Sequence, residues 1–553
     1  MPAKPCLSIV CALLLLSACS PKPAPDPMAA LSAEFVHTAL SFTPVSATQA
    51  GYHRHGNLKL DEMLDDYSPG GIERQRQFCL HFRRRLGRSV DPSRLPAEDR
   101  ADYDIISAQI ALSLLEFDVI RAYRHNPLVY VELIGNALSS PWVLEYAPGP
   151  ERVRHIIRRM EKIPALLDQA RTNLVDSPEV WIQAALEKND GNISLIENTI
   201  HSGVPEELRP GYDRAASEAL DALRSFNHYL VSDLATRDTE ADWRLGADKY
   251  QRKFACVVDS GLSPRQVLES AEAGMGEVQA RMFAIARALA PEAKGNQSAV
   301  ISQALRKIAA RQAKPAADLD QAKQDLEEAS RFVRARNIVR LPPADNRQPE
   351  LAAIRWITPS KELNSYKRKL LVMQEAIPGR YVQSQYAAAV QPGWRGLLRS
   401  VYGNSPCLEG WPRYITQVML EEGFLDGSPE LRLSYLNEEL RLLAGAILDI
   451  RLHTSGMADQ QALDLLRKEA FQEAGEAAAE LERAKLSSCR MPAALAGWRG
   501  WIRVRDQYRQ AKGPAFQLGE FHTRALSEGA VPLPTLSLLL GGRPADGPGT
   551  NRR

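Results

Sequence analysis

Apolar residues recur every three to four positions along most of the chain, which is the period of helices that bury one face. Arg100 to Arg124 shows it most plainly, through Ile105, Ile106, Ile110, Leu112, Leu115, Val119 and Ile120. Glu151 to Leu174 and Glu206 to Leu234 repeat the pattern, so their apolar faces are expected to pack on one another. Further helices are predicted over Pro264 to Ala290, Ala299 to Gln312 and Asp318 to Ile338, the last with the charge alternation of a solvated face. Two short apolar runs, Leu128 to Leu133 and Leu351 to Ile357, read either as edge strands or as parts of helices. The pattern predicts a mainly α protein with few short strands.

Composition supports this and removes several functions. The 553 residues are 44% apolar, 25% charged and only 7% aromatic, the make-up of a helical globular protein. Lys and Arg number 69 against 67 Asp and Glu, a balance that lacks the basic excess of a nucleic-acid-binding protein. No phosphate loop, dinucleotide-binding glycine motif or nucleophile elbow occurs.

The chain's beginning predicts an address. Lys4 precedes the apolar run Leu7 to Leu16, too short to cross a bilayer but suited to a signal peptide over residues 1–18. The run ends in Leu16-Ser17-Ala18-Cys19, which resembles the bacterial lipobox and makes Cys19 the expected site of lipidation. Residues 19–28 hold alternating prolines, an extended tether rising roughly 3 Å per residue and placing the folded body ~25 Å from the lipid. No Asp follows Cys19, so by resemblance to Gram-negative lipoproteins the expected location is the outer membrane, facing the periplasm. The lipid bilayer is then the first partner. Of the remaining cysteines, Cys79, Cys256, Cys407 and Cys489 could form two disulfides or stay as buried thiols, and no spacing suits a cysteine-rich metal site.

The Pro-rich break at Leu341 to Pro349 separates an N-terminal helical region, 29–340, from a second helical region, 350–540, and residues 541–553 read as a disordered tail. The second region carries the chemistry. Leu370 to Gln383 (LLVMQEAIPGRYVQ) brings a carboxylate, Glu375, into an apolar helix that Pro378-Gly379 then disturbs. The segment resembles the H-E-x-x-P-G-H-[HY]-x-Q signature of a bacterial family catalogued as domain of unknown function family 885, which is similar to zincin-type metallopeptidases. Leu408-Glu409-Gly410-Trp411-Pro412-Arg413-Tyr414 is similar to the family's E-G-W-x-x-Y block, and the resemblance continues around Asp449 to Thr454 and Phe516 to His522.

The resemblance implies a large helical zincin-like fold and a zinc site with histidines at the positions of Gln374 and Arg380, Glu409 as third ligand and Glu375 as general base. Tyr381, Trp411, Tyr414, His453 and His522 would then line the cleft. Only the two glutamates remain of that set. A glutamine amide is a weak zinc ligand, and a protonated guanidinium has no lone pair to give. On an unbroken helix positions 374 and 380 would stand about 240° apart, so the Pro-Gly break is what could bring them to one point. Two further departures from the family are Thr416, where a second acidic residue is usual, and Gly497, where a tyrosine is usual. The expected function is therefore a lipid-anchored pseudopeptidase or peptide-binding protein without a metal cofactor, whose ligand is a peptide or another envelope protein. An active hydrolase with an altered site built on Glu375 and Glu409, and a purely structural lipoprotein, are the other readings.

Overall fold

The computed structural model describes residues 27–238, 241–311, 319–342 and 364–541. The signal segment, Cys19, nearly all of the tether, most of the Pro-rich break, the strand candidate Leu351 to Ile357 and the tail after Gly541 lie outside them. Within them the chain is almost wholly helical. One antiparallel pair of two-residue strands, Arg54–His55 and Leu58–Lys59, is the only sheet among the described residues.

The apolar period forecasts the helices well. Ala97–Leu115 covers the first two thirds of the Arg100 to Arg124 pattern, which then widens to a π turn over Glu116–Ile120 and breaks at the left-handed Arg121; Arg209–Ser232 covers the Glu206 pattern, and Pro264–Leu289, Gln297–Arg311 and Leu319–Ala335 the three that follow. Glu151 to Leu174 divides into Gly149–Met160 and Ile163–Asn173, because Pro164 suits a new first turn and not a helix interior. Leu128 to Leu133 is not a strand but the opening of the helix Leu128–Val143, whose first N–H, on Leu128, donates to the Asn126 side-chain oxygen at 3.0 Å.

Two hydrophobic cores result. The smaller gathers five helices between Leu128 and Ser232 around Ile134, Leu167, Phe226 and Leu230. The larger takes helices from both sides of the Pro-rich break. Its axis is Pro429–Ser455, buried along most of its length, which Pro264–Leu289 and Arg490–Lys512 flank. Arg490–Lys512 also lies along Ser405–Glu421, where Gly410 and Gly497 allow backbone contact. Arg159 joins the two cores: fully buried, it donates to the carbonyls of Met63, Ala137 and Leu60 and to the Thr48 hydroxyl. The four cysteines of the described residues are separate thiols, and burial pushes Cys79 up to about 11 and Cys407 up to about 12.

Candidate functional site

The motif segment folds as a helix broken in a particular way. Ser365–Leu371 is α-helical, then Val372–Ala376 widens to one π turn, closed by Ile377 N–H donating to the Val372 carbonyl at 3.1 Å. The turn ends at Ile377–Pro378, a cis peptide, and a new helix, Arg380–Ala389, starts at once. Gly379 makes this possible. A Cβ there would sit 1.8 Å from the Gln374 carbonyl oxygen, so the chain folds back against its own π turn only with glycine at 379.

Folding back delivers Arg380 to Glu375. The guanidinium Nε lies 3.0 Å from one Glu375 oxygen, and a terminal nitrogen donates to Glu409 at 2.5 Å, across the gap to the Ser405–Glu421 helix. Burial alone would lower the Arg380 pKa, but attraction to Glu409 and Glu375 outweighs it and holds the guanidinium firmly charged. Arg490 reaches Glu409 from the other side at 3.5 Å.

These groups form one wall of a cleft of about 650 Å³ that lies between the two cores. Glu132 and Lys188 of the smaller core close its far side. The charged part of the remaining lining is a mesh of ion pairs, Lys367 with Glu476 at 2.6 Å, Arg413 with Glu438 at 3.4 Å, and Arg441 and Arg483 on Glu480 at 2.8 and 2.6 Å, set among apolar side chains such as Leu370, Leu442 and Met491. Burial raises the Glu480 pKa, yet Arg441 and Arg483 overcome it and keep the carboxyl below its usual range. Gln374 borders the cleft with its amide nitrogen buried and without a hydrogen-bond partner.

The structure thus brings Gln374, Glu375, Arg380 and Glu409 together and places the aromatic and histidine candidates behind them. Trp411 is fully buried and donates to the Pro378 carbonyl at 3.0 Å, which pins the Pro-Gly turn to the next helix. Tyr381 is buried and does not line the cleft. Tyr414 donates to His522 Nε2 at 2.7 Å, and His522 Nδ1 faces the Ile338 carbonyl at 2.6 Å, so the ring is a neutral core member whose pKa burial lowers to about 3. His453 is likewise satisfied: Nε2 faces the carbonyls of Ala484 and Ser487 at 3.2 Å, and Leu245 N–H reaches Nδ1 at 3.4 Å. Thr416 donates to the Pro412 carbonyl in the core, and Gly497 faces Pro406.

Two cleft residues, Glu438 and Arg441, lie outside the motif blocks, and a third, Asp449, opens the Asp449 to Thr454 block without a role assigned to it there. Glu438, Arg441 and Asp449 lie on one face of the largely buried axial helix, and polar residues three to eight positions apart in such a helix were the available signal. Asp449 is the deepest. It accepts from the Tyr250 hydroxyl at 2.7 Å and the Cys489 N–H at 3.0 Å, and burial still raises its carboxyl above the usual range.

With the geometry described, its relatives can be stated. The sequence matches the family described as bacterial protein of unknown function (DUF885) over residues 44–539, almost the entire chain. The chain belongs to this family. Two solved structures share its fold. One, a protein provisionally described as a lipoprotein of unknown function from Shewanella oneidensis, has TM-score 0.74 and 24% identity over 93% of this chain and 100% of its own. The other, a lipoprotein described in the same provisional way from Colwellia psychrerythraea, has TM-score 0.73 and 17% identity over 93% and 98%. No curated protein matches significantly.

Within this DUF885 chain the residues at the motif positions do not suit a divalent metal. The amide of Gln374 is a poor ligand, and a charged guanidinium occupies the space between the two carboxylates that would otherwise face the ion. Among the described residues no three His, Cys, Asp or Glu side chains form a group able to hold a metal ion.

Proposed function

We propose that this protein is a lipid-anchored envelope protein that binds peptides in the charged cleft and does not hydrolyse them. The observation that carries the reading is Arg380, whose guanidinium bridges Glu375 and Glu409 and fills the place the family resemblance gives to a metal. A hydrolytic water needs a base free to take its proton, whereas Glu375 here is held by a cation. What remains suits binding. The cleft offers both carboxylates and guanidinium groups to the termini and side chains of an extended peptide, and the unpartnered Gln374 amide gains a partner when a backbone carbonyl reaches it. Anchoring through Cys19 rests on the lipobox resemblance, and it agrees with the provisional lipoprotein descriptions of the two structural relatives. The periplasmic face of the outer membrane is the location that fits.

The test combines three measurements on purified protein: elemental analysis for metal, fluorescence anisotropy with a labelled peptide library, and mass spectrometry of the same peptides after long incubation. Binding of some peptides without cleavage and without stoichiometric metal is expected. A tightly held zinc together with cleavage that is lost in Glu375→Gln overturns the reading.

A further inference from the structure

The first two long helices of the body carry a surface that the cleft does not explain. Pro27–Phe42 and Pro69–Ser89 pack side by side, and their contacts fix the direction. Phe42 meets Phe78, Phe35 meets Phe82, and Glu34 takes a two-pronged ion pair from Arg85 at 2.5 and 2.7 Å. Residue numbers rise along one helix as they fall along the other, so the pair is antiparallel. The start of the first helix, where the chain arrives from Cys19, therefore lies beside the end of the second.

That end is basic. It reads His81-Phe82-Arg83-Arg84-Arg85-Leu86-Gly87-Arg88, and Arg94 follows after one turn. Phe82 and Leu86 point inward and are buried, while Arg83, Arg84 and Arg88 stand exposed. Among the described residues these three have no carboxylate or hydrogen-bond partner; Glu34 is occupied by Arg85, and Asp91 by Ser93 and Arg94. Three guanidinium groups close together on one helix end, none of them offset by a partner, form a localised positive field.

We propose that this helix end is a docking surface for an anionic phospholipid bilayer. The reading rests on attachment at Cys19, because the tether brings the lipid to this end of the body: seven residues lie between Cys19 and Pro27, an extended reach of roughly 25 Å. Contact with the phosphates turns a loosely tethered body into an oriented one. Attraction of this kind falls off within a Debye length, so docking is sensitive to salt.

The experiment uses a chain beginning at Ser20, which lacks the acyl chain and the signal segment yet retains every described core residue, the first being Met28. It is sedimented with vesicles of phosphatidylcholine alone or mixed with phosphatidylglycerol. Binding to the mixed vesicles only, reversed by raised salt, is expected. Each arginine near the surface should contribute about fivefold, so Arg83→Gln, Arg84→Gln and Arg88→Gln together lower partitioning about a hundredfold. A charge-matched control, Arg154→Gln, Arg158→Gln and Lys162→Gln on the smaller core, leaves it within a factor of two or so by the same reasoning. Equal loss in both variants, or no preference for anionic vesicles, overturns the proposal; circular dichroism confirms that each variant is folded. Failure here leaves attachment at Cys19 standing, since acylation is read separately by palmitate labelling.

Discussion

Gly410 and Gly497 bring two helices into backbone contact. A Cβ on Gly410 would lie 2.2 Å from the Gly497 carbonyl carbon, and one on Gly497 would lie 1.9 Å from the Pro406 carbonyl oxygen. Neither neighbour is the movable end of a side chain, so the helices must separate to admit even a methyl group. The Ser405–Glu421 helix carries Glu409 one residue before that contact, which makes the glycine pair the spacer that sets Glu409 opposite Arg380. Gly497→Ala is expected to lower stability by about 3 kcal/mol, the upper range for overpacking, as read from the denaturant midpoint. Gly410→Ala should do the same.

The Arg380 bridge makes a second prediction. Glu375 keeps 28% side-chain exposure and Glu409 19%, so the loss of their common cation is partly relieved by water. Arg380→Ala should therefore cost about 2 kcal/mol, below the 3–5 kcal/mol of a fully buried pair. Adding Glu375→Gln and Glu409→Gln should recover most of it, because the uncompensated charges disappear. A stability loss in Arg380→Ala that the two glutamines do not relieve would show that packing, and not charge, is what the arginine supplies.

His522 predicts a pH dependence of known sign. In the unfolded chain an ordinary imidazole takes a proton near pH 6.5, whereas folded His522 resists protonation to about 3. Between those values the unfolded state binds the extra proton, so the stability this ring contributes is present above about pH 6.5 and is lost as the pH falls. His522→Gln retains a donor for the Ile338 carbonyl and an acceptor for the Tyr414 hydroxyl. Its stability should fall less steeply on acidification than the parent's, by up to about 1.4 kcal/mol per pH unit between pH 6 and 4. Parallel stability profiles for the two proteins would refute the assignment.

Physical reasons separate what could be read in the sequence from what could not. Helices such as Arg209–Ser232 and Pro264–Leu289 were legible because their burial is one-sided, which leaves a period in the residues. Leu128 to Leu133 was ambiguous because a short apolar run carries no period, and its place at the start of the helix Leu128–Val143 is set by the packing of that helix. In the site, the meeting of Glu375, Arg380 and Glu409 followed from motif order and the Pro-Gly break, but the π turn that presents Gln374 has no compositional mark. The histidines illustrate the harder limit. His453 and His522 look alike in sequence to any ligand-binding histidine, and only their surrounding carbonyls reveal them as core donors. Gly497 appeared as a missing tyrosine, whereas its role is to have no side chain at all.

The attachment proposed at Cys19 has a direct test. Labelled palmitate should be incorporated into the protein in a bacterial host, and Cys19→Ala should abolish the label and leave the protein in the soluble envelope fraction or with its signal segment uncut. Persistent labelling in the variant would exclude this residue as the acceptor.

The last prediction concerns ligand chemistry at the motif positions. Two carboxylates clamped on a guanidinium make a poor metal site, so the natural protein should bind no zinc on calorimetric titration. Replacing both Gln374 and Arg380 with histidine removes the competing cation and adds two imidazoles beside Glu409, a three-ligand set with Glu375 adjacent. The backbone already favours it: the π turn places residue 374 at the cleft, and Gly379 folds residue 380 back against Glu375. The double variant Gln374→His/Arg380→His should accordingly bind one zinc ion, with the single variants weaker. Hydrolysis does not follow from the metal alone, because the supporting groups the family carries at the positions of Thr416 and Gly497 are missing, and missing partners of the ligands cost affinity or rate about 10–100-fold. A double variant that folds normally yet takes up no zinc would mean that the spacing of positions 374, 380 and 409, and not only their side chains, is unsuited to a metal.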